Sequence, residues 1–455
     1  MKKPAIRRSG FATQRRGERG VTMVFVAVCM VAIIAMAALS IDVVTLYLSR
    51  EETQRAADTA ALAAAKIISI SGITGTANPS TDTSQWQSIC GSSPTASAYL
   101  AAVAGGQENS ISGIAANSVT VRYSAQGSSS GVSDCSTLGQ AFAINPTVIV
   151  QVTRNALPTL FSRIWSQSPN NVSATAVAEV FNPSNSGSIA SGGQVIPVAP
   201  RCVKPWIIAN LDSNASHSGS SFVNKLTGAI TNAGIYPIDG GVIGEGLTLT
   251  SCTGANCTSL EGGSLTAGQY MPALVSTTAT AVPSCASGVY QSAIAGCDES
   301  TIYACGVTNG GQADLTFNPA TDTRNAVQCA TGLPTGQDTL NANSPTYNAS
   351  SYPFQITAGS SNPIAPTNQL ITTSNSIMTI PIYDNTTLLP NGNSQPNVTI
   401  VGFLQVFVDD VHHHAGGNGT LNVTVLNVSG CGDSLTPPTA AEGNSPVPIR
   451  LITSQ

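Results

Sequence analysis

An α+β fold suspended from one long N-terminal helix is what this sequence predicts. Three observations carry that expectation. Residues 21–41 are an unbroken apolar run, and residues 42–70 extend it with strong helix formers and no Gly or Pro before Gly72. Beyond residue 118, several segments alternate apolar and polar side chains with the period of two that marks a strand.

The apolar run contains only Thr22 and Ser40 as polar side chains. At ~1.5 Å per residue it covers the ~30 Å hydrocarbon thickness of a bilayer, so 21–41 is expected to be a transmembrane helix. Orientation follows from residues 1–20, a basic arm in which Lys2, Lys3, Arg7, Arg8, Arg15, Arg16 and Arg19 face the single acid Glu18. That arm leaves 11 of the 18 basic and 22 of the 23 acidic side chains to the remainder. By the positive-inside rule the arm is cytoplasmic and the bulk of the chain is periplasmic or extracellular. A cleaved signal peptide is the competing reading, with Ala35-Met36-Ala37 as its cleavage pattern; the length of the run and the missing break after it favour an uncleaved anchor.

Residues 42–70 are expected to continue the same helix as an extracytoplasmic stalk, giving one helix of about fifty residues and roughly 75 Å. Glu51 and Arg55 form a favourable i,i+4 charge pair. Ala56, Ala60, Ala63 and Ala64 make a stripe of small side chains that suits close approach, by a partner helix or by the protein's own globular part.

Residues 71–182 read as a pilin-like α+β module. It holds a short helix over 96–103, strands over 118–124, 147–154 and 172–181, and a helix over 157–165 with Pro158 in its first turn. Residues 183–193 (PSNSGSIASGG) read as a linker. Residues 194–455 read as a separate, mainly-β, disulfide-containing domain whose clearest strands lie at 377–383, 398–411, 420–428 and 447–452. The middle two of these are joined by a hairpin-type loop, HHHAGGNG.

Charged residues are 9% of the chain against the ~25% usual in soluble domains, which suits an extracytoplasmic β-rich surface. The basic patch that nucleic-acid binding requires is missing beyond the N-terminal arm, so no nucleic-acid partner is expected. Of eleven cysteines, Cys29 lies in the apolar run. The other ten, an even number, are expected to form up to five disulfides in an oxidising compartment. Expected pairs are Cys90 with Cys135 and Cys252 with Cys257, with two further bonds among Cys285, Cys297, Cys305 and Cys329. No C-x-x-C spacing occurs, which weighs against zinc at these positions.

The conspicuous ligand cluster is His412, His413 and His414, preceded by Asp409 and Asp410. Imidazole with carboxylate suits a divalent transition metal. Consecutive strand residues point to opposite faces, however, so a solvated hairpin tip is the expectation and no metal site is assigned. The remaining histidine, His217, lies in NASHSGSS without a G-x-S-x-G nucleophile turn, and the Gly240–Gly246 region lacks the Lys of a phosphate-binding loop. Trp86, Trp165 and Trp206 read as packing residues rather than carbohydrate platforms. No catalytic residue, no cofactor and no enzymatic activity are expected.

One block names a family. Gly20-Val21, the apolar run, Asp42-Val43, Leu46-Tyr47-Leu48 and above all Gln54-x-Ala56-Ala57-Asp58-x-Ala60-Ala61-Leu62-Ala63 resemble the N-terminal domain of TadG-like Flp pilus-assembly proteins. Val44 departs from that pattern, where the family commonly has Gly. The resemblance implies a single-pass protein of the bacterial inner membrane that supports assembly or anchoring of a Flp/Tad-type pilus, meets other pilus components through its stalk helix, and has no catalytic role. Pilin-type processing after Gly20 would place Phe25 where a charge-neutralising Glu is required, so polymerisation through this helix is not expected. The metal motif of a von Willebrand factor A domain is not matched by the strings beginning at Asp82 or Asp212. A different class of function, a surface adhesin binding through the β-rich region, is the alternative.

Overall fold

The computed structural model describes residues 18–75, 86–128, 130–157, 161, 169–194, 196–236, 240–252, 257–275, 279–307, 309–340, 354–411, 419–431, 439–441 and 445–453. Its architecture is α+β. Helix α1 (Glu18–Ile70) runs unbroken for 53 residues. It stops where Gly72 takes φ +79°, a left-handed conformation that a side chain would strain; a Cβ there would also lie 2.6 Å from Ile243 Cγ2.

Residues 20–50 of α1 are exposed apart from a few on one face, whereas the second half is sunk into the protein. Ala56, Ala57, Ala60, Ala61, Ala64, Ala65, Ile67, Ile68 and Ile70 are buried, with the three-to-four-residue recurrence of a helix stripe. Residues 42–70 are therefore no free-standing stalk. Their small-side-chain face is covered by the chain's own sheet and by helix α2 (Ser97–Glu108). The approach is close because α2 meets α1 through glycines: a Cβ on Gly105 would lie 3.3 Å from the Thr59 carbonyl oxygen, and one on Gly106 3.5 Å from Ala60 Cβ.

That sheet contains β1 (Ser118–Ala125), β2 (Pro146–Leu157) and β3 (Asn170–Val180), paired antiparallel as Ser118↔Thr153 and Thr147↔Glu179. Val119, Val121, Tyr123, Val148, Val150 and Val152 point inward, as their alternation dictates. Strand β2 extends through Leu157, so the expected helix over 157–165 does not begin there; of its remaining residues only Phe161 is described.

The rest is organised by a closed six-stranded barrel. Its strands are β4 (Trp206–Ala209), β5 (Gly246–Ser251), β6 (Gln269–Pro272), β7 (Ile377–Tyr383), β8 (Ile400–Val411) and β9 (Leu421–Gly430), in the order β7-β8-β9-β5-β6-β4. Four of the six junctions are antiparallel; β5 with β6 and β4 with β7 run parallel. The long insertion between β6 and β7 carries helices α3 (Gly288–Ala295) and α4 (Pro319–Thr331). The hairpin of β8 and β9 forms as expected from sequence, with Val411 opposite Leu421.

The two halves are not separate domains, contrary to the boundary expected at residue 194. Strand β10 (Ile449–Ile452), expected within the C-terminal domain, pairs antiparallel with β3 and completes the N-terminal sheet in the order β1-β2-β3-β10. One apolar core runs without a gap from Ala56 through the sheet to Val425 and Val447. At its centre lies a buried polar knot. Asn427 Nδ2 donates to the Ser69 carbonyl and to Gln405 Oε1, both at 2.8 Å, Gln405 Nε2 donates to Ser445 Oγ at 3.1 Å, and Ser69 Oγ donates to the Val447 carbonyl at 3.0 Å. These bonds tie α1 to the barrel and to the segment feeding β10.

Residues 183–193 are likewise docked rather than free. Their polar side chains and amides find buried acceptors: Ser188 Oγ and the Ile189 amide donate to the Glu179 carboxylate at 2.6 and 2.8 Å, and Asn185 Nδ2 donates to the Thr74 carbonyl at 2.7 Å. Glu179 also receives Arg450 Nε of β10 at 2.6 Å.

Five disulfides form: Cys90–Cys135, Cys202–Cys297, Cys252–Cys257, Cys285–Cys329 and Cys305–Cys431. Two bonds were expected among Cys285, Cys297, Cys305 and Cys329, and only one of them, Cys285–Cys329, lies within that set. Cys297 instead meets Cys202 beside β4, and Cys305 meets Cys431 just after β9, because barrel closure brings those distant segments together.

Enlarging the alanine face tests the close packing. Ala60→Leu forces extra methylenes between α1 and Gly106 and is expected to destabilise the protein by about 1–3 kcal/mol, whereas Arg55→Ala on the exposed face stays within about 0.5 kcal/mol; urea unfolding of the detergent-solubilised chain reads both.

Candidate functional site

The membrane-proximal half of α1 concentrates the features that point to function. Its first turns are apolar and exposed, with mean hydropathy 2.9 over the most apolar stretch, so the helix is long and apolar enough to cross a membrane. At the end of that stretch stands Asp42, a carboxylate only 2% exposed. An ionised carboxylate beside an apolar helix surface needs donors, and one is the Phe161 amide, which donates to Asp42 Oδ2 at 2.9 Å. The connection between β2 and β3 thus touches α1 at the level where the apolar run ends.

A polar ladder continues along the same face. Ser49 Oγ lies 2.6 Å from Ser112 Oγ, and the Ser112 amide donates to Glu52 Oε2 at 2.7 Å. Ser49 and Thr53 also donate to the Thr45 and Ser49 carbonyls one turn back, at 2.8 and 2.6 Å. The opposite face is apolar and open: Val43, Val44, Tyr47 and Leu48 are each between half and two-thirds exposed. Helix α1 therefore enters the folded body with one face hydrogen-bonded to it and one apolar face exposed.

The block of small residues further along has a packing role that its spacing explains. Ala56, Ala57, Ala60 and Ala61 lie in the core, and Leu62 packs against it. Gln54 and Asp58 flank them on the rim, Gln54 Nε2 donating to Asp58 Oδ1 at 2.8 Å and to the Thr175 carbonyl of β3 at 3.4 Å. Contact with partner proteins through the Ala stripe is thus closed off, because the protein's own sheet and α2 occupy it. Thr59 and Ala63 of the second half form one wall of a cleft of about 900 Å³ shared with Leu100, Ala104, Ile364 and Leu370.

Residues 20–66, the tether and its alanine block, match the family model described as putative Flp pilus-assembly TadE/G-like. The segment carries a TadE/G-like domain. Within it one helix has two parts, a first half long and apolar enough to anchor the chain in a membrane and a second half at the core of the folded body. No curated protein and no solved structure matches the chain.

The metal-ligand candidates fare differently. His412, His413 and His414 lie outside the described residues. Asp409 and Asp410, at the end of β8, are spent on local bonds: Asp409 Oδ2 accepts from Thr424 Oγ1 at 2.6 Å and Asp410 Oδ1 from the Val411 amide at 2.7 Å. Burial pushes the Asp409 carboxyl up to about 6, against the pull of the Thr424 hydroxyl. Cys202, Cys297 and Glu299 also converge, but the two sulfurs are bonded to each other.

A second cluster was not assembled by sequence reasoning. Asp212, His217 and Glu245 place one ligand atom each within 4.8 Å of the others. His217 Nδ1 lies 3.4 Å from Asp212 Oδ2 and 3.2 Å from Glu245 Oε2. The Asp212–Ser220 loop after β4 is held by the Asp212 amide donating to the Ser220 carbonyl at 2.8 Å and the Asn214 amide donating to Asp212 Oδ1 at 2.8 Å. Glu245 precedes β5, its carbonyl accepting the Val425 amide of β9 at 3.0 Å. Burial, and then the neighbouring Asp212, pushes the Glu245 carboxyl up to about 9. The signal available in the sequence was a histidine within five residues of an acid after a strongly apolar strand; the second acid came from a separate strand start.

Two outcomes test this geometry. Asp42→Ala strips the Phe161 amide of its acceptor, and hydrogen–deuterium exchange of the solubilised chain is expected to speed up there roughly tenfold or more, the scale of a hydrogen bond to a charged group. Asp409, whose folded value lies above the ordinary 3.8, favours folding below about 4 and loses that contribution as pH rises through about 6. Asp409→Asn is expected to flatten the pH dependence of the unfolding midpoint across that window.

Proposed function

We propose that this protein is a non-enzymatic, single-pass component of the bacterial inner membrane that supports assembly or anchoring of a Flp/Tad-type pilus, with residues 1–20 cytoplasmic and the sheet and barrel on the outer side. The observation that carries the reading is the match of residues 20–66 to the TadE/G-like family, over the same segment that is exposed and apolar at one end and core at the other. The basic arm supports the orientation.

Partner components meet α1 in this reading at its free apolar collar, Val43, Val44, Tyr47 and Leu48. About twenty residues suffice to span the hydrocarbon, so a span starting at Val21 ends near Ser40, and the collar stands just outside it. That position is reachable by the membrane-proximal helix of another single-pass protein. The alanine block is not reachable without unfolding.

Deletion of the gene is expected to abolish surface pili and adherence; unchanged piliation refutes the pilus role. The double variant Tyr47→Ala, Leu48→Ala, whose side chains support no internal packing, is expected to lower piliation while the thermal unfolding midpoint and membrane fractionation stay as in the parent. Protease treatment of intact cells separates this reading from a surface adhesin acting through the barrel: a periplasmic protein is protected, and cleavage of the barrel on intact cells favours the adhesin.

A further inference from the structure

We propose that Asp212, His217 and Glu245 form a binding site for one divalent transition-metal ion of the Zn²⁺ type, held at the end of the barrel between β4 and β5.

The tautomer of the imidazole comes first. His217 Nε2 lies 2.6 Å from the Gly240 carbonyl oxygen, an acceptor only, so Nε2 carries a proton. In the neutral ring Nδ1 is then a lone pair. That lone pair faces two carboxylate oxygens, Asp212 Oδ2 and Glu245 Oε2, at 3.4 and 3.2 Å. Three acceptors pointing at one another repel unless something positive lies between them. Among the described residues the ion pairs of both carboxylates are with His217 alone. A histidine that gives one ring N–H to a backbone carbonyl and turns the other nitrogen to carboxylates has the arrangement by which proteins orient a metal ligand.

The spacing fits an ion. A tetrahedral Zn²⁺ with N and O ligands at ~2.0–2.2 Å holds them roughly 3.3–3.5 Å apart; the His217–Asp212 separation of 3.4 Å lies in that range and the His217–Glu245 separation of 3.2 Å just below it. The charge fits as well, since two carboxylates and a dication leave the buried cluster neutral. A second observation concerns the same side chain: Glu245 is fully buried, and its other oxygen, Oε1, has no hydrogen-bond donor among the described residues. A buried carboxylate oxygen without a donor is costly, and bidentate coordination or a metal-bound water would satisfy it. Metal uptake at ligands that can carry protons releases protons to solvent. One mixed nitrogen–oxygen donor set with no sulfur favours Zn²⁺, Mn²⁺ or Fe²⁺ over Ca²⁺ or Mg²⁺.

The test uses the full chain in detergent, stripped with a chelator and titrated with Zn²⁺ by calorimetry. The expected result is one high-affinity equivalent, a raised thermal midpoint and net proton release. Glu245→Gln keeps the side-chain volume and hydrogen bonding, and it is expected to weaken that equivalent at least tenfold, as is His217→Ala; Asp212→Asn serves if either fails to fold. The triple variant His412→Ala, His413→Ala, His414→Ala is expected to retain the equivalent. Absence of binding in the parent chain overturns the proposal. Retention in Glu245→Gln and His217→Ala with loss in the triple variant also overturns it, assigning the ion to the other histidines. Sulfur ligation in the zinc X-ray absorption spectrum does the same. None of these outcomes bears on the pilus reading.

Discussion

Close contact between the alanine face of α1 and everything around it is the constraint on which the rest of the folded body rests. Ala56, Ala57, Ala60, Ala61, Ala64 and Ala65 are solvent-free, and they are so because α2 approaches on glycines and the sheet on valines. Each alanine contributes little burial of its own. Their collective effect is to let backbones come together, so that dispersion contacts accumulate between helix and sheet and between helix and helix. Larger side chains anywhere along this face would separate all three layers at once. The same helix is the membrane anchor, so its position in the bilayer is passed on to the sheet without an intervening hinge.

The barrel is fixed to that helix by polar rather than apolar specificity. The knot of Asn427, Gln405, Ser445 and Ser69 joins α1, β8, β9 and the segment before β10 through bonds that only one arrangement of the elements satisfies. A buried network of this kind, in which Asn427 spends both amide hydrogens while its Oδ1 has no partner, contributes more to uniqueness than to net stability. Around it, five disulfides hold the long loops in a chain with few charges to do so.

Local periodicity was legible in the sequence. Helix α1, helix α2 and strands β1, β2, β3, β7, β8 and β9 follow directly from apolar spacing, because each depends on neighbours in the chain. Topology was not. Val198 to Ala209 looked like the start of a new domain, yet β4 pairs in parallel with β7, far along the sequence, and no local signal encodes such a partner. The strand at 449–452 has the same alternation whether it closes a barrel or joins β3, and the deciding contact, Arg450 with Glu179, spans 271 residues. The Asp212, His217 and Glu245 cluster failed for the same reason, its members being individually unremarkable and joined by barrel closure alone.

That sheet closure has a kinetic side. Strand β3 gains its outer neighbour from residues 271 positions later. At ~5–20 residues per second of synthesis, roughly 15–50 s separate the emergence of Glu179 from that of Arg450. Throughout that interval β3 presents an unpaired edge and Glu179 lacks its cation. An exposed edge is a template for pairing with another chain. The architecture therefore leaves an open sheet edge for the whole of that interval, closed only when the last strand of the chain arrives.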